Sequence, residues 1–311
     1  MAILVAADFS AEEWATWWPA LVAALPGEEL LRDATESQRA DIDVALVANP
    51  PIGALQNLPR LRFIQSLWAG VDRLLLDTSV PAELPLARMV DPAMNTAMAE
   101  TALWAVIGLH RHAFRYAAQQ RAAQWQQHAQ QRADELNVLV LGLGQMGRTA
   151  AQAIARQGYR VSGWSTRAAA VEGVHTGSGD AALQTLLADA HIVVNLLPLT
   201  PATRGLFNAA TLAQMRRGAS LVNLARGAHV VDADLLAALA NGHLQHAVLD
   251  VFATEPLPAD HPYWRHDQVT VLPHVAAQTD PRSASLIAAD NVLAFRAGRV
   301  PANLADRTRG Y

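Results

Sequence analysis

The chain has 311 residues, of which 24 are Lys or Arg and 28 are Asp or Glu, for a formal net charge of −4. That length suits two domains, the mild acidity gives no sequence-wide grip on nucleic acid, and 51% hydrophobic against 17% charged residues exclude a disordered chain. There is no cysteine, which removes disulfide scaffolds, thiolate nucleophiles, iron–sulfur clusters and cysteine-bound zinc together.

Residues 1–10 carry no secretory signature, and the apolar stretch 14–25 is too short to span a bilayer and is broken by Pro19. A cytoplasmic protein with neither a membrane nor a nucleic-acid partner is expected. Trp14, Trp17 and Trp18 share one predicted helix and are read as core or interface.

Short apolar runs then alternate with helical patterns: residues 3–7, 44–48, 61–65, 138–141, 160–164, 192–197, 220–224, 247–252 and 269–272. Unbroken runs of this length suit strands buried on both faces, and the lengths between them suit crossover helices. The expectation is an α/β architecture of parallel sheets with right-handed connections.

Residues 93–133 interrupt the alternation. Met94, Met98, Ala102, Val106 and Leu109 recur at helical spacing, and a polar stretch, 119–132, follows as an exposed helix end or solvated arm. A first domain boundary is placed here. A second is placed where Asp280 and Pro281 punctuate the chain before a final helix at about 283–297. Residues 98–282 are thus expected to form a cofactor domain inserted into a substrate domain made of 1–97 and 283–311.

The run 138–141 leads into G-x-G-x-x-G at Gly142, Gly144 and Gly147, and a helical pattern follows. Gly142 permits the tight turn, Gly144 lets the backbone approach a pyrophosphate, and Gly147 lets the helix pack on the strand. The helix N-terminus then presents N–H groups to the phosphates. A bare glycine pattern is weak, but here a strand, a helix and a second strand surround it. That second strand ends on Ser165 where NAD-binding sites carry an acidic residue, and Arg167 lies two residues on. NADP(H) is therefore expected, with Ser165 and Arg167 at the 2′-phosphate. NADH remains possible, with Arg167 then an ordinary loop arginine.

Three later strands end in chemistry-bearing residues: Arg226, then Asp250 with Glu255, then His274. Ligands of open α/β sheets sit at the carboxyl ends of strands, so these groups can converge on the nicotinamide. Carbonyl reduction needs such a set. A histidine supplies the proton, a carboxylate on its far nitrogen stabilises the imidazolium, and an arginine grips a substrate carboxylate. Singly, each has a plainer reading, as strand-end ion pair, surface charge or satisfied histidine. The other ten of the 11 histidines, His229 among them, are assigned ordinary structural roles. No metal site is expected, because no pair has H-E-x-x-H spacing.

Residues 142–147, 223–227, 250–258 and 273–277 resemble the signatures of the D-isomer-specific 2-hydroxyacid dehydrogenases, and the similarity runs over nearly the whole chain. Residues 164–165, 192–201 and 306–311 are most similar to the glyoxylate/hydroxypyruvate reductase A branch. The resemblance implies two doubly wound parallel-sheet domains, a Rossmann cofactor domain inserted into a flavodoxin-like one, with the active site in the cleft between them. It also implies Arg226 on the substrate, His274 as acid and base, and Glu255 as its partner.

Further cofactor contacts implied are Gln145, Met146, Leu197, Pro198, Ala225 and Asp250, the last at the nicotinamide carboxamide. Trp68, Ala69 and Gly70 resemble the loop whose N–H groups hold the substrate carboxylate. NADPH-dependent reduction of glyoxylate or hydroxypyruvate by a homodimer is then expected. Two alternatives stay open: an NAD-dependent relative of phosphoglycerate or D-lactate type, and a nicotinamide-sensing binding protein without turnover. The stretch 119–132 matches no family motif.

Overall fold

The structure is a computed structural model in which residues 1–307 are described, so most of the terminal motif 306–311 lies outside the described residues. The chain divides into two compact units, Met1–Met94 together with the chain from Thr279 onward, and Asn95–Gln278. The divisions fall shortly before residues 98 and 283.

The first unit holds β1 (Ala2–Ala7), β2 (Glu29–Leu31), β3 (Ile42–Ala48), β4 (Phe63–Ser66) and β5 (Leu86–Ala87), in the order β2-β1-β3-β4-β5. Every pair is parallel. The helix Ala11–Ala24 starts on a capping box, in which Ser10 Oγ accepts from the Glu13 N–H and the Glu13 carboxylate accepts from the Ser10 N–H. Trp17 is buried in the core, which fits the reading of these tryptophans. The last helix, Pro281–Arg296, is capped by Asp280, whose carboxylate accepts from the Arg282 N–H at 2.9 Å.

The second unit holds β6 (Asn137–Leu141), β7 (Arg160–Ser165), β8 (His175–Ser178), β9 (Ile192–Asn195), β10 (Ala219–Asn223), β11 (Leu244–Leu249) and β12 (Val269–Val271). Their order is β12-β11-β10-β9-β6-β7-β8, all parallel. Leu139 and Leu141 of β6 pack on one face with Phe207, Leu235 and Tyr263. Val138 and Val140 pack on the other with Val106, Ala150 and Ile154. Burial on both faces is why the sequence shows an unbroken apolar run rather than alternation.

Strands β2, β5 and β8 are not among the apolar runs of the sequence. β2 and β8 are edge strands with no buried residue, so a weaker apolar signal is needed, whereas β5 is buried but only two residues long, and Leu304 bridges its outer side. The run 61–65 becomes a strand only from Phe63, because Leu61 N–H closes a turn onto the Leu58 carbonyl.

The polar stretch 119–132 differs from a free arm. The helix Pro92–His110 stops where His112 takes a positive φ of 59°, and a second helix, Ala113–Arg121, follows. The irregular chain beyond it is fastened by side chains. His110 Nε2 lies 2.8 Å from the Gln131 carbonyl oxygen, His112 Nε2 lies 3.1 Å from that of Ala129, and Gln119 Nε2 donates to that of Gln126 at 3.1 Å. These bonds satisfy backbone groups that the absent helix or sheet ladder leaves open. Trp125 of this segment is nevertheless 97% exposed. Among the described residues no helix is long and apolar enough to cross a membrane, and no group of three His, Asp or Glu is placed to hold a metal ion.

Candidate active site

The strand order of the second unit reverses direction between β6 and β9, and the candidate residues follow that order. Across the sheet, the residues at the carboxyl ends run from His274 after β12, through Glu255 after β11, Arg226 after β10 and Pro198 after β9, to the glycine turn after β6 and Ser165 at the end of β7. Such a switch point is where open α/β sheets bind dinucleotides.

The three glycines after β6 stand in three different surroundings. Gly142 has φ +94°, and a Cβ there would stand 2.6 Å from the Leu196 carbonyl oxygen. A Cβ on Gly147 would overlap the Gly142 carbonyl oxygen, so helix and turn touch backbone to backbone. A Cβ on Gly144 would meet nothing within 4 Å. Gly144 therefore faces open space at the start of the helix Gln145–Ala155, which leaves room for a phosphate to approach the free N–H groups.

At the end of β7, Ser165 Oγ donates to the Arg167 carbonyl at 2.6 Å, and the Arg167 side chain is exposed. A further cation, unnoticed in the sequence, borders the same loop: Arg148 donates to the carbonyls of Leu143 and Ala170, both at 2.9 Å. The end of this strand thus offers hydroxyl and guanidinium groups, which suits a phosphorylated ribose.

Glu255 and His274 are joined at 2.8 Å, Nδ1 to Oε2. The other Glu255 oxygen accepts from the Phe252 N–H at 2.8 Å, which fixes the carboxylate. The hydrogen bond to Glu255 raises the His274 pKa above the ordinary imidazole value and outweighs burial. Burial pushes the Glu255 carboxyl up, but the bonds from His274 and Phe252 and the charges of His274 and Arg226 bring it below the usual range. The Arg226 charge acts on both groups, so the guanidinium lies within electrostatic reach of the pair. Its Nη1 donates to the neighbouring Ala225 carbonyl at 2.7 Å, which turns the head back over its own strand end.

Asp250 is buried. Its carboxylate accepts from the N–H groups of Val275 at 2.7 Å and Ala276 at 3.0 Å. Burial raises its pKa and those two N–H groups oppose the rise.

In the first unit, Trp68, Ala69 and Gly70 follow β4 and are half-buried, with the Trp68 ring against Phe9 and Trp17 at 5.9 and 5.5 Å between centroids. The Trp68 N–H donates to Ser66 Oγ at 3.1 Å. Leu197 and Pro198 follow β9, where the Leu197 N–H donates to Asn195 Oδ1 at 3.3 Å. His229, read from the sequence as an ordinary histidine, is fully buried beneath Arg226 and 3.1 Å from its carbonyl oxygen. No local motif marks it.

Residues 103–276 match the model of the D-isomer specific 2-hydroxyacid dehydrogenase NAD-binding domain. A glyoxylate/hydroxypyruvate reductase A of Serratia proteamaculans is 39% identical over 308 residues, covering 97% of each chain. A D-isomer specific 2-hydroxyacid dehydrogenase of Xanthobacter autotrophicus, solved with NADPH and MES, is 39% identical with a TM-score of 0.92, covering 100% of this chain and 99% of that one. An NADPH-dependent glyoxylate/hydroxypyruvate reductase of Sinorhizobium meliloti, solved with NADP and sulfate, is 33% identical with a TM-score of 0.93 and the same coverage. An oxidoreductase acting on the CH–OH group, the chain belongs to the D-isomer-specific 2-hydroxyacid dehydrogenase family.

Proposed function

We propose that the protein reduces a small 2-oxo acid, glyoxylate or hydroxypyruvate, to the 2-hydroxy acid with NADPH. The observation that carries this reading is the 2.8 Å His274–Glu255 bond at the ends of two neighbouring strands, with the Arg226 charge acting on both partners. A proton donor of raised pKa beside an anion-binding guanidinium is the set that a 2-oxo acid requires. The relatives with that activity in their names support the choice of substrate.

The residues present fit the cofactor. In this reading Gly142, Gly144, Gln145, Met146 and Gly147 hold the pyrophosphate, and the open position beside Gly144 supports it. Ser165 and Arg167 take the 2′-phosphate, where an acidic residue would repel it. Leu197, Pro198, Ala225 and Asp250 border the nicotinamide. NADPH, when bound, supplies the hydride.

Arg226 grips the substrate carboxylate with paired hydrogen bonds and draws electron density toward the carbonyl oxygen. His274 enters as imidazolium, holds the transferable proton at Nε2 and delivers it to that oxygen as negative charge develops. Glu255 accepts from Nδ1 throughout, so the imidazolium stays oriented and favoured. In the first unit, Trp68 forms a wall and the loop N–H groups bind the carboxylate. The Trp68 N–H is engaged by Ser66, so Ala69 and Gly70 are the donors in this reading.

The proposal includes a cytoplasmic homodimer. Trp125 is exposed on a segment that side chains hold in place, and Trp104 and Ile107 are exposed on the helix Pro92–His110. A second copy covering these residues would remove an apolar surface that water disfavours.

A spectrophotometric panel tests the reading. Oxidation of NADPH and of NADH is followed with glyoxylate, hydroxypyruvate, pyruvate and bulkier 2-oxo acids. Turnover of the first two with preference for NADPH is expected. Cofactor binding without turnover of any 2-oxo acid, or a clear NADH preference with another acid, would overturn it.

A further inference from the structure

Strands β9 and β10 are neighbours, and their last residues, Asn195 and Asn223, are register partners. Both side chains are 0% exposed. The preceding strand residues are apolar, Val193 and Val194 on β9 and Leu221 and Val222 on β10. A buried amide costs about 1–3 kcal/mol unless its hydrogen bonds are made. Packing alone gives no reason to end both strands on asparagine.

The bonds they make point to one place. Asn195 Nδ2 donates to Asn223 Oδ1 at 2.9 Å, and that oxygen also accepts from the Ala225 N–H at 3.3 Å. Asn223 Nδ2 donates to the Arg226 carbonyl at 3.0 Å. On the other strand, Asn195 Oδ1 accepts from the Leu197 N–H. His229, also 0% exposed, spans the same two loops: Nδ1 lies 3.1 Å from the Arg226 carbonyl oxygen and Nε2 lies 3.3 Å from that of Pro198. A third contact closes the arrangement, because a Cβ on Gly227 would overlap the backbone of Phe252, whose N–H holds Glu255.

We propose that Asn195, Asn223 and His229 are positioning residues, a buried clamp that sets the Arg226 backbone and the loop 196–198 as one piece. None of the three touches substrate. They aim the guanidinium, so their effect is on recognition of the substrate carboxylate rather than on proton delivery by His274. The proposal rests on the reading of Arg226 as the carboxylate grip.

The test compares glyoxylate with its methyl ester, which keeps the reactive carbonyl and loses the anion. In Asn223→Asp the side chain keeps its shape and its acceptor, but it cannot donate to the Arg226 carbonyl. His229→Phe keeps a ring and loses both nitrogens, and His229→Gln restores an amide donor. Folding is checked by Tm, and NADPH affinity by fluorescence titration.

The ratio of kcat/KM for the acid over the ester is expected to fall about ten-fold or more in His229→Phe and in Asn223→Asp, and to recover in part in His229→Gln. The pH profile of kcat should keep its wild-type position. A wild-type ratio in folded His229→Phe, or equal losses for acid and ester, overturns the clamp. If either harsher variant fails to fold, His229→Gln alone decides. Its flexible chain lacks the rigid ring that places one nitrogen at each carbonyl oxygen, so the ratio should still fall, and a wild-type ratio there overturns the clamp as well. Arg226→Ala separates the two readings: an unchanged ratio in that variant refutes the role of Arg226 itself.

Discussion

The His274 N–H donates to the Asp250 carbonyl at 2.9 Å, while the Asp250 carboxylate accepts from the two residues that follow His274. His274 has a positive φ of 55°, a conformation that a residue with a side chain adopts only when its surroundings hold it there. Asp250 therefore fixes the turn that presents the imidazole, beside any contact it makes with the nicotinamide.

Asp250→Asn keeps one acceptor oxygen and places an amide nitrogen against a backbone N–H. The variant is expected to lose about 1–3 kcal/mol of stability, because a buried donor is left without a partner. It should also lower kcat about ten-fold or more. Urea unfolding and steady-state kinetics check the two effects, and a variant with wild-type values for both would remove this role.

The pH dependence of reduction follows from the sign of the His274 shift. In the proposed mechanism the imidazolium is the proton donor, so the rate is highest where His274 is protonated and falls as pH rises through its pKa. The Glu255 bond holds that pKa above the ordinary value of about 6.5. Glu255→Gln removes the stabilising charge. The descending limb of the kcat/KM profile should then move to lower pH, and an unmoved limb would show that Glu255 does not set the proton donor.

Cofactor choice is expected to reside at the end of β7. Ser165→Asp places a carboxylate where the 2′-phosphate would bind, and should lower kcat/KM for NADPH about ten-fold or more while sparing NADH. Arg167→Ala should weaken NADPH selectively. Parallel losses with both cofactors would argue against this placement.

The proposed homodimer is tested at Trp125, which is 97% exposed. Trp125→Ala should leave Tm and per-site kcat close to wild type while shifting sedimentation toward the monomer. Unchanged sedimentation of a dimer, or a wild-type protein that is monomeric, would reject the 119–132 segment as an interface.

Much of this was legible in the sequence because burial on both faces writes itself as unbroken apolar runs. Residues 138–141 are such a run, and Leu139, Leu141, Val138 and Val140 divide between the two cores. The glycine turn was legible for a related reason. Close backbone approach at Gly142 and Gly147 tolerates no side chain, so the residue type reveals the geometry. The short strands β2, β5 and β8 left no comparable mark. His229 was missed because nothing near it in sequence announces its work. Its two ring nitrogens lie against the carbonyl oxygens of Arg226 and Pro198, and one of these partners lies on a different strand end. The fastening of 119–132 was hidden likewise, because polar side chains that bond backbone carbonyls look the same in sequence as polar side chains in water.

The central claim is that His274 gives the proton, and His274→Gln tests it most directly. Glutamine retains a hydrogen-bonding amide and cannot act as an acid near neutrality. With NADPH and glyoxylate, kcat should fall by about 10²–10⁴-fold while NADPH affinity stays near wild type. A His274→Gln enzyme that keeps near-wild-type kcat/KM would contradict the account.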